Sequence, residues 1–217
     1  MFRSTGVATR TLIFINVLVY LGQVSSSGAL TNWLYYSPLS TLVEPWRMIT
    51  AGFAHSDNLA GDPTSIFHIA LNMYTLYILG NLLEPVLGTR RFTLLYMLSI
   101  FGGSVAVLVF GDPTGWVLGA SGGVFGLMGA YFVVLRTLGH NPGSMAGIIA
   151  INLVFSFINP GVSWQAHIGG LFIGAAVAFL YSKTRISTQT QIQNLGLVAF
   201  TVALVAISYL KASSFLL

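Results

Sequence analysis

Seven stretches of the chain are apolar and almost free of charge: 9–24, 66–83, 92–110, 116–135, 144–158, 164–181 and 194–210. Most approach the roughly 17 to 25 residues that an α-helix needs to cross a bilayer. Helices and closed barrels are the two folds that satisfy every backbone N–H and C=O in lipid. A barrel would show segments of about ten residues with alternating polarity, and these stretches do not alternate. The pattern therefore predicts an all-α fold, a polytopic membrane helical bundle. Connections are mostly short, except for about forty residues between the first two helices. That loop carries Trp33, Tyr35, Tyr36 and Trp46, amphipathic aromatics that favour the headgroup boundary. Two readings stay open: a loop lying partly in the outer leaflet, or an ordinary surface loop with interfacial anchors.

Composition agrees with a lipid environment. Hydrophobic residues make up 55% of the 217 positions and charged residues 6%, and mean hydropathy is +0.81, whereas a soluble domain carries about 25% charged residues. The net charge of +4 is scattered between helices, so it speaks for topology and against nucleic acid. With the N-terminus in the cytoplasm, Arg3, Arg10, Arg90, Arg91, Arg136, Lys183 and Arg185 lie inside, and only Arg47 and Lys211 lie outside. That bias follows the positive-inside rule. Glu44, Asp57, Asp62 and Asp112 then fall outside. The first stretch also has features of a signal peptide, with Arg3 and Arg10 at its start and Ser25 to Ala29 after it; its removal would leave the other helices oriented as before. No internal repeat of the kind transporters use is visible. The chain reads as one domain, with a six-helix core over 1–182 followed by a polar cytoplasmic linker and a seventh, anchoring helix over 183–217.

Polar residues in membrane helices are costly and usually functional. Under this topology the second, fourth and sixth helices all begin at the outer face, so His68, Ser121 and His167 share a depth. Asn72 follows His68 by four residues and projects from the same helix face. Small residues repeat at four-residue spacing on the fourth helix (Gly122, Gly126, Ala130) and the sixth (Ala166, Gly170, Gly174, Ala178), which lets two backbones approach closely in lipid. Such packing would bring His167 to Ser121. A serine hydroxyl becomes a nucleophile when a neutral histidine takes its proton, and no carboxylate is at hand to orient that histidine. The expectation is a Ser-His dyad, with the Ser121 backbone N–H at a helix start, His68 and Asn72 as oxyanion donors. His68 and Asn72 could equally serve only as hydrogen bonds between helices.

At these residues the sequence resembles the rhomboid family of intramembrane serine proteases over about residues 9–182. The family's Gly-x-Ser-Gly is matched by Gly119, Ala120, Ser121 and Gly122. Its Ala-His-x-x-Gly-x-x-x-Gly is matched by Ala166, His167, Gly170 and Gly174, its His-x-x-x-Asn by His68 and Asn72, and its Trp-Arg loop signature by Trp46 and Arg47 after Glu44. The resemblance implies a Ser121 nucleophile, a His167 base and oxyanion contacts from His68 and Asn72. It implies no metal or organic cofactor, and transmembrane protein substrates cut in or near the outer end of their membrane helices. The site would open toward the extracytoplasmic side of the cell membrane. Where the family often has Tyr stacked on the catalytic histidine, this chain has Phe125, which keeps the ring and lacks the hydroxyl. The fifth helix and the loop through Asn159, Pro160, Gly161 and Trp164 are expected to gate access. Rival readings are a non-catalytic relative that binds membrane clients, though here both dyad residues remain, and a transporter, though no polar path continues through the cytoplasmic half. A metal site would lack a His-Glu-x-x-His motif and has no embedded acid beyond Glu84.

Overall fold

The computed structural model describes residues 6–57 and 65–216, the Ser187 side chain excepted; Arg3 and Asp62, weighed above for topology, lie outside them. The chain runs through α1 (Val7–Ser25), α2 (Ala29–Leu34), α3 (Arg47–Thr50), α4 (Ser65–Leu87), α5 (Thr89–Phe110), α6 (Ser121–Thr137), α7 (Gly143–Ile158), α8 (Trp164–Lys183) and α9 (Thr190–Ser213). Helices α1, α4, α5, α8 and α9 are each long and apolar enough to cross a membrane, whereas α6 and α7 are shorter, at 17 and 16 residues. The seven apolar stretches thus all fold as helices, and the chain is a multi-pass integral membrane protein.

One boundary differs from expectation. The fourth apolar stretch begins at Trp116, but its helix begins at Ser121. Val117 is held outside a helix by an antiparallel bridge to Tyr36, with N–H to O distances of 2.8 and 2.9 Å, and Gly119 N–H donates to the Ala51 carbonyl at 2.9 Å. These backbone groups have their partners elsewhere and need no helix. Gly119 also sits at φ +131°, a conformation that side-chain-bearing residues rarely adopt. The result is a short helix whose first residue is reached by non-helical backbone.

Helix α6 is the centre of the bundle, since every residue of 122–130 is buried. A helix that is apolar all round belongs in such a position. Its closest partner is α8. A Cβ on Gly170 would strike the Gly122 carbonyl, and one on Gly174 would strike the Gly126 carbonyl. Small residues there let backbone meet backbone, the packing expected of small-residue stripes. A second seam was not anticipated: a Cβ on Gly103 of α5 would lie 2.8 Å from the Ala166 carbonyl, and Gly169 of α8 packs on Gly102 and Ala106. Helix α8 is therefore clasped on both sides through glycine. Around this centre Leu76, Leu83, Phe92, Leu95, Leu127 and Val177 are fully buried.

The long loop after α1 is a folded element. Arg47 donates to the Asn32 and Tyr35 carbonyls at 2.7 and 3.0 Å and pairs with Glu44 at 2.8 Å, so one guanidinium gathers three parts of the loop. Trp46 is half exposed, beside Val43 and Trp33, which are more exposed still. Ser104 of α5 donates to the Met48 carbonyl at 2.7 Å and fixes the loop to the bundle. At the opposite end, buried Glu84 accepts from the Ala8 and Thr9 N–H groups and the Thr9 hydroxyl at 2.7 to 3.0 Å. Glu84, the one buried acid among the described residues, thereby caps the start of α1, where a helix presents free N–H groups and partial positive charge.

Three substitutions follow for measurement. Gly170→Ala should lower stability by about 2 kcal/mol, the usual scale of overpacking, whereas Gly147→Ala on α7, where a Cβ meets nothing within 4 Å, should be neutral. Thermal unfolding in detergent reads both, and equal effects would contradict the seam. Arg47→Ala should cost about 1.5 to 3 kcal/mol, the range for a hydrogen-bonded charged group, and should speed limited proteolysis within residues 29–53.

Candidate active site

Three helices begin at one end of the bundle and each carries a chemically capable residue in its first turn: His68 on α4, Ser121 on α6 and His167 on α8. Ser163 caps α8 by accepting from the Ala166 N–H, a common device for starting a helix. The glycine seams then bring α6 and α8 together, and His167 Nε2 lies 2.7 Å from Ser121 Oγ. That is hydrogen-bonding distance between a hydroxyl and an imidazole nitrogen. Phe125, one turn along α6, stacks on the His167 ring at 4.1 Å between centroids and 15° between planes.

The other ring nitrogen of His167 has a partner that was not foreseen. Ser156 Oγ on α7 lies 2.6 Å from His167 Nδ1 and donates to the Asn152 carbonyl at 2.7 Å. Ser156 is 2% exposed. The sequence did hold a signal for it: Asn152 and Ser156 are the only polar residues in 147–158 and stand four apart, on one helix face. Among the described residues both ring nitrogens of His167 have serine hydroxyls as partners, so the ring is held on both sides.

His68 stands against the turn that leads into α6. A Cβ on Gly119 would come within 2.8 Å of His68 Nε2 and 3.7 Å of Ser121 Oγ, so glycine there makes room for the imidazole. The Ser56 N–H donates to His68 Nδ1 at 3.3 Å. A backbone amide can only donate, so in the neutral ring the proton sits on Nε2, the atom facing the turn. Asn72 turns back on its own helix, its amide donating to the His68 carbonyl at 2.8 Å, a bond that uses one of its two N–H groups.

Behind His68 lies His55, with ring centroids 5.2 Å apart. Its backbone is fixed by Gln23, which accepts from the His55 N–H and donates to the His55 carbonyl, both at 2.9 Å. Burial, and then the neighbouring His68, push the His55 imidazole down to about 3, so it stays neutral and acts as packing. The loop residues singled out from sequence, Glu44, Trp46 and Arg47, belong to a segment that also supplies Tyr36 and Ala51, which hold Val117 and Gly119. The loop shapes the backbone just ahead of Ser121. Among the described residues no group of three His, Cys, Asp or Glu side chains gathers that could hold a metal ion.

The family model of the Rhomboid domain matches residues 43–184. The chain is similar to RHOMBOID-like protein 6, mitochondrial, of Arabidopsis thaliana, at 35% identity over 74% of this chain and 52% of that protein. It is 31% identical to rhomboid protease GluP of Bacillus subtilis over 77% of this chain and 32% of that protein. It is 29% identical to rhomboid protease GlpG of Photorhabdus laumondii over 81% of this chain and 62% of that protein. The chain thus spans less than two thirds of the length of each of these relatives. With the domain model covering more than half of the chain, this protein belongs to the rhomboid family.

Proposed function

We propose that the protein is an intramembrane serine endopeptidase that cuts membrane-protein substrates with a dyad of Ser121 and His167. The observation that carries the reading is the 2.7 Å contact between Ser121 Oγ and His167 Nε2, in a chain whose relatives include proteins named rhomboid protease.

In this reaction Ser121 Oγ attacks the scissile carbonyl while its proton passes to His167 Nε2. The carbonyl oxygen gains negative charge and meets preorganised donors. Ser121 is the first residue of α6, so its backbone N–H has no acceptor within the helix. His68 Nε2–H and the second Asn72 N–H complete the set. The imidazolium then returns its proton to the leaving amine, and the acyl-enzyme forms. Water, activated by the same histidine, releases the second product. Phe125 keeps the imidazole in the plane that points Nε2 at the serine, a role that stacking alone can fill.

The substrate class follows from the solvent. Backbone amides of a membrane helix are hydrogen-bonded and shielded, so a cleavable segment must unwind, and small or helix-destabilising residues favour that. The charge bias of the loops supports an N-terminus in the cytoplasm and a site opening toward the extracytoplasmic face of the cell membrane, where the outer ends of substrate helices lie. In this reading residues 1–182 form the catalytic core, and the linker and α9 anchor it.

The test is cleavage of a tagged single-pass substrate in proteoliposomes, with product termini identified. Wild type should cut near the outer boundary of the substrate helix, and Ser121→Ala and His167→Ala should each lower kcat by at least about a thousandfold, as loss of a nucleophile or its base does elsewhere. Cleavage by either variant at the wild-type rate contradicts the dyad. Phe125→Tyr should keep activity, while Phe125→Ala should lower kcat with little change in KM.

A further inference from the structure

The reading of His167 as a base leaves one question open: which of its nitrogens carries the proton. The base is competent only with the proton on Nδ1, because Nε2 must offer a lone pair to Ser121. In the Ser-His-Asp arrangement a carboxylate fixes that tautomer, whereas among the described residues the partner of His167 Nδ1 is the Ser156 hydroxyl. We infer that Ser156 on α7 takes this place as a positioning residue, and that it holds His167 in the competent tautomer only while α7 is docked.

The argument is one of counting protons along a chain of contacts. A main-chain carbonyl only accepts, so across the 2.7 Å contact to Asn152 the Ser156 hydroxyl must be the donor. Ser156 Oγ has one proton, and with that proton committed it can only accept across its 2.6 Å contact with His167 Nδ1. Nδ1 must therefore bear hydrogen, which leaves the Nε2 lone pair facing the Ser121 hydroxyl at 2.7 Å. The direction of every donor runs one way, from Ser121 through His167 and Ser156 to a carbonyl that ends the chain. Reversing it would set a Ser156 proton against Nδ1, leave the Asn152 carbonyl facing an oxygen without hydrogen, and place Nε2–H against the serine.

The location of Ser156 gives the lock a second property. On α7 only Met145 and Ser156 are buried, so little apolar surface holds this helix to the bundle. The connection to α8 is closed by Phe157 stacked on Trp164 at 5.0 Å, which keeps Ser156 and His167 facing each other across the turn. A displacement of α7 would take the hydroxyl away and let the neutral ring sample both tautomers. Docking of this lightly packed helix and competence of the base are thus one event.

The catalytic consequence rests on the Ser121–His167 reading, but the tautomer can be measured without substrate. Histidine nitrogens labelled with 15N in lipid nanodiscs distinguish protonated from unprotonated Nδ1 and Nε2, and His167→Ala identifies the His167 signals among the four histidines. Wild type should show Nδ1 protonated and Nε2 bare. Ser156→Ala should show both tautomers, with kcat lower by about tenfold, the worth of one hydrogen bond, and KM unchanged. Ser156→Thr keeps the donor to Asn152 and should restore both readouts. Wild type with Nε2 protonated, or Ser156→Ala with the wild-type tautomer and kcat, overturns the inference. Should Ser156→Ala not fold, the wild-type and Ser156→Thr spectra still decide. A Ser156-dependent tautomer in a protein whose cleavage survives Ser121→Ala would uphold the lock and sink the dyad, while an intact dyad with an indifferent Ser156 would do the reverse.

Discussion

The approach of α6 to α8 is the constraint on which the rest depends. In lipid no hydrophobic force presses two helices together, and packing at short range must supply the attraction. Glycine supplies it here by removing the side chains that would hold the backbones apart. Gly170 meets the Gly122 carbonyl and Gly174 meets the Gly126 carbonyl, and the imidazole one turn before this seam comes into reach of the hydroxyl at its start. Every residue of 122–130 is buried beside this seam, so Ser121 begins a helix whose first half is packed on all sides. Positioning of the reactive pair is thus a by-product of the packing that stabilises the bundle.

The polar groups obey a related rule. A donor or acceptor without a partner is expensive in this setting, and three polar side chains at the site are held by nearby groups: His68 by the Ser56 N–H, Asn72 by the His68 carbonyl, Ser156 by the Asn152 carbonyl. Because main-chain N–H groups only donate and carbonyls only accept, these bonds carry direction. They decide where the protons of two imidazoles sit. The folded loop contributes in the same manner, since Tyr36 and Ala51 take the hydrogen bonds of Val117 and Gly119 and so determine where α6 may start.

Much of this was legible in the sequence because lipid simplifies the code. Length and apolarity marked seven helices, and four-residue spacing of small residues marked the seam between α6 and α8. The rarity of polar residues narrowed the site to His68, Asn72, Ser121 and His167, which the fold brings to one end. What stayed hidden depended on contacts between segments distant in sequence. The start of α6 at Ser121 rather than Trp116 follows from a bridge to Tyr36, eighty-one residues earlier, which no local pattern announces. The seam of Gly102 and Gly103 against α8 was overlooked because adjacent glycines do not read as a four-residue stripe. Ser156 is back-bonded to its own helix, as serines in apolar helices commonly are, and only the turn of α7 into α8 sets it against His167.

The distribution of packing among the helices bears on how such a site can work at all. In the proposed reaction a polypeptide must reach Ser121, which is only partly exposed at the start of a buried helix, and some element must yield. Helices α6 and α8 cannot, because their glycine contacts leave no intermediate position: parting them would separate serine from histidine. Helix α5 is tied to α8 by its own glycines and to the long loop through Ser104. Helix α7 has neither a glycine seam nor a buried face beyond two residues, so its displacement disturbs the least packed part of the bundle. Placing the hydroxyl that orients the base on this helix, rather than on a rigid one, makes the orientation of the base depend on the element that is free to move.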